Sequence, residues 1–116
     1  MNLIRKDTII ALATPQGVGA IGVIRISGPD CIALVERFFL SKNLKLKKLS
    51  DKPSHTLHFG VIAHLNVVID EVVVSLYKAP HSYTGEESVE ISCHGSPFIL
   101  QQVLALFLKD GCRMAD

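Results

Sequence analysis

Apolar residues along the chain recur with two periods, and the change from one to the other marks out its elements. Thr8 to Ala13, "TIIALA", is a short apolar run stopped by Pro15 and Gly17, and it predicts a strand buried on both faces. Val23-Ile24-Arg25-Ile26-Ser27 alternates, with Ile24 and Ile26 on one face and Arg25 and Ser27 on the other. Period two returns in His55–Ala63, through Leu57, Phe59, Val61 and Ala63, and in Ile69–Tyr77, through Val72, Val74 and Leu76. "HLNV" between these two runs reads as a hairpin turn. In Ser88–His94, Val89, Ile91 and Cys93 form an apolar face, while Glu90, Ser92 and His94 form a polar one.

Two segments carry the helical period instead. Gly28-Pro29-Asp30 opens the first, since proline is preorganised for a first helical position and aspartate suits the positive end of the helix dipole. Cys31, Val35, Phe38 and Phe39 then give it a core-facing stripe. The second helix has Ser96 as cap and Pro97 at its first position. Ile99, Leu100, Val103, Leu104 and Phe107 line its inner side, and Gly111 ends it as a left-handed cap. After it, "CRMAD" starts a fresh alternation that stops at Asp116, which suits either a fragment of a longer protein or a short terminal strand. The pattern predicts an α+β fold, a mixed and mostly antiparallel sheet with two helices packed against it.

Gly17-Val18-Gly19-Ala20-Ile21-Gly22 has the G-x-G-x-x-G spacing of a dinucleotide loop. That chemistry needs a helix starting within the motif, so that backbone N–H groups meet the pyrophosphate. Here a β-branched strand follows Gly22 and the helix waits for Pro29, so the loop is read as the link between two antiparallel strands. No G-K-[ST] phosphate loop occurs either, and residues 1–116 are expected not to hydrolyse GTP.

Composition narrows the classes further. A chain of 116 residues, 48% apolar and 20% charged, suits one globular domain over residues 1–116. A formal net charge of +1 provides no whole-domain field toward nucleic acid or membrane. The segment "SKNLKLKKLSDKPS" is locally different, holding five of the twelve basic residues; it is a solvated loop or a contact for RNA phosphates. Neither a secretory signal nor an apolar run of about 18 residues is present, so no membrane partner is expected. Cys31, Cys93 and Cys112, without C-x-x-C spacing, point to reduced thiols in a cytoplasmic protein.

Candidate chemistry is sparse. His55 and His58 fall on opposite faces of one strand, and His94 faces away from Cys93, so no metal site is expected. Cys93 shares its face with Val89 and Ile91 and reads as a buried small hydrophobe. Arg25 and Glu90 differ, each being a charge amid an apolar strand. They are solvated residues of one-sided strands, or they point into a concave, partly dry site. In the second case a carboxylate offers acceptors to a planar N–H and NH₂ pair and a guanidinium offers a fork of donors, a combination suited to a flat heterocycle with acidic appendages.

Three segments, "DTIIALATPQGVGAIGVIRISGP", "APHSYTGEESVEISCHGSP" and "LKDGCRMA", together resemble the amino-terminal domain of bacterial tRNA-modification GTPases of the MnmE (TrmE) type. The resemblance covers nearly the whole chain except Leu40–Ser54. It implies a domain related to the folate-binding part of aminomethyltransferases, binding a reduced folate (5-formyl- or methylene-tetrahydrofolate) and forming a homodimer. By position, the family's folate-contacting arginine in "RISG" matches Arg25, and the glutamate in the strand before its "HGGP" turn matches Glu90. It also implies tRNA and an FAD-dependent protein as partners of the full-length protein. GTP, magnesium and potassium would belong to a G domain outside residues 1–116. Where the family commonly reads "TPPGRGAIG", this chain has Gln16 and Val18, and Ser96 stands where a second glycine is usual. The leading expectation is a folate-binding and dimerisation module; the alternatives are a purely structural dimerisation domain and a free-standing aminomethyltransferase-like enzyme.

Overall fold

The computed structural model describes residues 8–14, 19–79 and 86–115. Among them, nine elements follow in the order β1 (Ile9–Leu12), β2 (Ile21–Ser27), α1 (Cys31–Glu36), β3 (Phe39–Leu40), β4 (Thr56–His64), β5 (Val67–Tyr77), β6 (Ser88–His94), α2 (Pro97–Lys109) and β7 (Arg113–Met114). The strands form one sheet in the order β3-β4-β5-β6-β2-β1-β7. Every pairing is antiparallel except that of β1 with β7. This is the mixed α+β architecture that the periodicity predicts.

The alternation in β2, β5 and β6 sorts the sheet into two faces. Ile24, Ile26, Val72, Val74, Leu76, Val89, Ile91 and Cys93 point to the face covered by the helices and join Cys31, Val35, Leu100, Val103 and Phe107 in one core. Phe39 and Phe107 are fully buried there. Each such side chain contributes about 1.5–3 kcal/mol through the apolar surface it removes from water. The other face carries Arg25, Glu90 and Ser75 in one cross-strand row and Val23, Ser92, Val73 and Phe59 in the next.

Three details depart from the periodic reading. α1 stops at Glu36 and does not run on to Phe39. The Phe38 carbonyl accepts from Ala63 N and the Phe39 carbonyl from Lys47 N, so the backbone there serves β4 and its connection rather than the helix. Phe39 inserts beneath Gly60, where an added Cβ would lie 2.7 Å from a ring carbon. In β4, Leu57 and Phe59 are 62% and 69% exposed, because the residues opposite Val74 and Val72 are His58 and Gly60. A register shift between Ile62 and Ala63 then changes the phase, and Val61, Ile62 and Ala63 are all buried. Finally, Ser96 is the N-cap of α2 and Pro97 opens the helix as expected, but the serine side chain makes no capping hydrogen bond.

The β4–β5 hairpin is closed by Leu65 and Asn66, with φ of 52° and 64°. Two left-handed residues in a two-residue loop are the type I′ geometry that matches the twist of paired strands. Leucine suits this poorly, since its Cβ crowds the following carbonyl oxygen, and Leu65 is 82% exposed, so nothing is gained by its size. Leu65→Asn is expected to raise stability by about 1 kcal/mol, read as an increase of about 4 °C in thermal midpoint.

All three thiols are buried and unpaired. Burial, with Glu87 nearby, pushes Cys31 up to about 12; burial, with Asp70, does the same to Cys93. Cys112 is raised to about 11 by burial and Asp110. Alkylation at pH 8 should therefore be very slow in the native chain and proceed at all three cysteines after unfolding, as mass spectrometry would show. These groups hold their protons more tightly when folded, so their stabilising contribution is complete below about pH 9 and is lost as pH rises toward 12.

Candidate functional site

β2 and β6 are adjacent in the sheet with Arg25 directly opposite Glu90. The two residues singled out by pattern are thus brought together, and both lie on the face away from the helices. Arg25 Nε and Nη2 donate to Glu90 Oε2 at 2.9 and 2.6 Å. The side chains are 42% and 25% exposed, so the pair is neither a solvated accident nor a sealed core contact. With Tyr77 and Ser88 they line a cavity of about 460 Å³. Because both bonds land on Oε2, the other carboxylate oxygen remains available to a planar donor, and the guanidinium keeps donor capacity for an oxygen-rich group.

A second hollow, about 510 Å³, lies farther along the same two strands and is lined by Ile21, Lys42, Phe59, Glu71, Val73 and His94 among others. His94 in its lining belongs to a pair that the periodic reading missed. Asp70 is nearly buried; its Oδ2 accepts from the His94 backbone N–H at 2.8 Å, and its Oδ1 lies 2.6 Å from His94 Nδ1. One carboxylate thereby fixes both the strand end and the imidazole. The signal in the sequence was a carboxylate two residues before Val72, in phase with the apolar side of β5.

The two sequence motifs also meet. Gly19 N donates to the Gly95 carbonyl at 3.3 Å, and Gly95 N donates to the Ala20 carbonyl at 3.1 Å. A Cβ on Gly95 would lie 2.0 Å from the Gly19 carbonyl oxygen. The glycine loop is thus a backbone docking point for the β6–α2 turn, and β1 and β2 on its two sides are antiparallel neighbours. Gln16, Val18 and His81 lie outside the described residues. Cys93 is buried on the helix side of β6, in accord with its reading as a small hydrophobe.

Residues 8–116 match the family described as "GTP-binding protein TrmE N-terminus". The chain belongs to this family. It is 52% identical over 114 residues to the tRNA modification GTPase MnmE of Flavobacterium johnsoniae, covering 98% of this chain and 24% of that protein. Identity to the protein of the same name from Bacteroides thetaiotaomicron is 57% over 111 residues, 96% of this chain and 23% of that one. The Streptococcus mutans protein of that name is 46% identical over 110 residues, again 23% of its length. The chain therefore spans about a quarter of the length of the curated relatives it matches. Among the described residues, no helix is long and apolar enough to cross a membrane.

Proposed function

We propose that this chain is the folate-binding and dimerisation module of a tRNA-modification GTPase, with Arg25 and Glu90 as its ligand-holding residues. The observation that carries the reading is the facing of these two side chains across β2 and β6 at the floor of an open cavity. The donor set fits a reduced folate. A carboxylate matches the adjacent N–H and NH₂ groups of a pterin-type ring, and a guanidinium matches carbonyl or carboxylate oxygens. Tyr77 and Ser88 border the same cavity, adding one ring and two hydroxyls.

When bound, 5-formyl- or methylene-tetrahydrofolate would supply the one-carbon unit for modification of the wobble uridine of tRNA. The part assigned to this chain is narrower. Glu90 orients the ring, Arg25 neutralises and positions the oxygen-bearing portion, and the sheet floor keeps water from one side. GTP hydrolysis, with its magnesium and potassium, is assigned to a G domain outside these residues, and the redox chemistry to an FAD-dependent partner protein. The exposed Ile21, Leu57 and Phe59, 64%, 62% and 69% accessible, lie on the same open face and suit contact with a second copy.

One observation favours the purely structural alternative: Arg25 and Glu90 already pair with each other without a ligand. Calorimetry of the purified chain with 5-formyltetrahydrofolate separates the two. Saturable binding at one site per chain supports the proposal, and the absence of heat at millimolar ligand overturns it.

A further inference from the structure

The connection from β3 to β4 is a folded lobe. Leu49 is fully buried, Leu46 bridges to Leu40, and Glu36 clamps the lobe by accepting from Leu49 N at 2.6 Å, Ser50 N at 2.9 Å and the Ser50 hydroxyl at 3.1 Å. Burial alone would raise the Glu36 carboxyl, but these donors, with Lys48 nearby, bring it below the ordinary value. What the lobe presents is positive. Residues 36–58 contain six of the twelve basic side chains and two of the eleven acidic ones, a charge of +4, which leaves −3 for the rest of the chain. A net charge of +1 thus conceals a strongly polarised molecule.

Two lysines are also held without being neutralised. Lys47 Nζ donates to the Phe59 carbonyl, and Lys78 Nζ donates to the Ser50 carbonyl at 2.8 Å. A carbonyl fixes an ammonium in place and leaves its charge intact. Lys45, Lys48 and Lys52 are exposed around the same lobe. The local field reaches its neighbours: His58 is lowered by burial and then by Lys47 and Lys52. Opposing charges nearby are few among the described residues, with Lys52 3.9 Å from Asp51, Lys42 3.6 Å from Glu71 and Lys48 near Glu36.

We propose that this lobe is a docking surface for the phosphate backbone of RNA, and that it brings a tRNA alongside the open face of the sheet. The inference rests on the tRNA-modification reading above and adds the surface that meets the substrate. A cluster of mostly exposed lysines suits phosphates, which need charge and spacing rather than base-specific donors. Lys42 joins the lobe to the hollow beside Phe59 and His94, so the patch is continuous with the face bearing Arg25 and Glu90.

The test is fluorescence anisotropy of a labelled tRNA transcript against the chain over a series of salt concentrations. The triple variant Lys45→Gln, Lys48→Gln, Lys52→Gln should bind at least tenfold more weakly at low salt. Its slope of log K against log salt should be shallower by about 2 to 3, because three phosphates are no longer neutralised. Lys109→Gln, on α2, should leave both unchanged. Equal affinity and slope in the triple variant, as a lobe serving an acidic protein would give, overturns the proposal. So does failure of the parent chain to bind tRNA at the lowest salt. If the triple variant unfolds, Lys48→Gln alone must still reduce the slope by about 0.7 to 0.9. Folate titration of the same proteins separates the two readings, since lobe-dependent RNA binding without folate binding would fell the folate reading and leave this one standing.

Discussion

Gly95→Ala is expected to lower stability by about 3 kcal/mol or more, a loss of about 10 °C or more in thermal midpoint. The new Cβ would lie 2.0 Å from the Gly19 carbonyl oxygen and 2.5 Å from its carbonyl carbon. Both obstructing atoms are backbone, so relief requires separating the glycine loop from the β6–α2 turn and stretching the two hydrogen bonds between them. Gly22→Ala provides the comparison. Its Cβ would meet the Leu100 side chain at 2.6 Å, and a leucine terminus can rotate away at a smaller cost, about 1 kcal/mol. Chemical denaturation of both variants checks the ranking; a Gly95→Ala protein within 1 kcal/mol of the parent would refute the close approach.

Arg25→Ala and Glu90→Gln are each expected to weaken reduced-folate binding tenfold to a hundredfold. The amide of the glutamine variant presents a donor to the N–H groups of a pterin-type ring, leaving a mismatch in a partly desolvated cavity, whereas the alanine variant removes the donor fork. A charged hydrogen bond lost at such a site costs about 1.5 to 3 kcal/mol, which sets the range. Stability should move far less, because the ion pair is partly open to water, 42% and 25% exposed, and such pairs contribute little to folding. Calorimetry of the variants beside the parent, with thermal unfolding as control, reads both quantities. Undiminished affinity in both variants would return the pair to a cross-strand link.

Much of this was legible in the chain because the sheet is one-sided. The phase of Ile24 and Ile26 against Arg25, and of Val89 and Ile91 against Glu90, sets which side each charge takes once a helix covers the apolar face. α2 was readable for the same reason, its buried Leu100, Val103, Leu104 and Phe107 recurring at helical spacing. Direct opposition of Arg25 and Glu90 was not readable, since alternation specifies a face and not a register between strands 65 residues apart. β4 misled because Leu57 and Phe59 alternate convincingly yet lie on the open side, while the position over Phe39 must be a glycine. α1 misled because Phe38 and Phe39 fit a helical stripe, yet a turn into an edge strand buries Phe39 fully and Phe38 partly. The Asp70–His94 pair was hidden because Asp70, though in phase with the apolar side of β5, meets an imidazole 24 residues away, a contact that alternation does not specify.

At one margin of the sheet the outermost strand, β3, contains only two residues and flanks inner strands of up to eleven. So short an edge strand offers another chain little ladder to pair with. Next to β3, the Phe59 carbonyl on β4 is capped by a lysine ammonium. Such a margin resists the addition of a further strand from another molecule. Assembly that extends the ladder sideways from this margin is thereby disfavoured, and mating of two copies on this side is steered to broad, side-chain-bearing surfaces, where geometry can close on a pair rather than propagate without end.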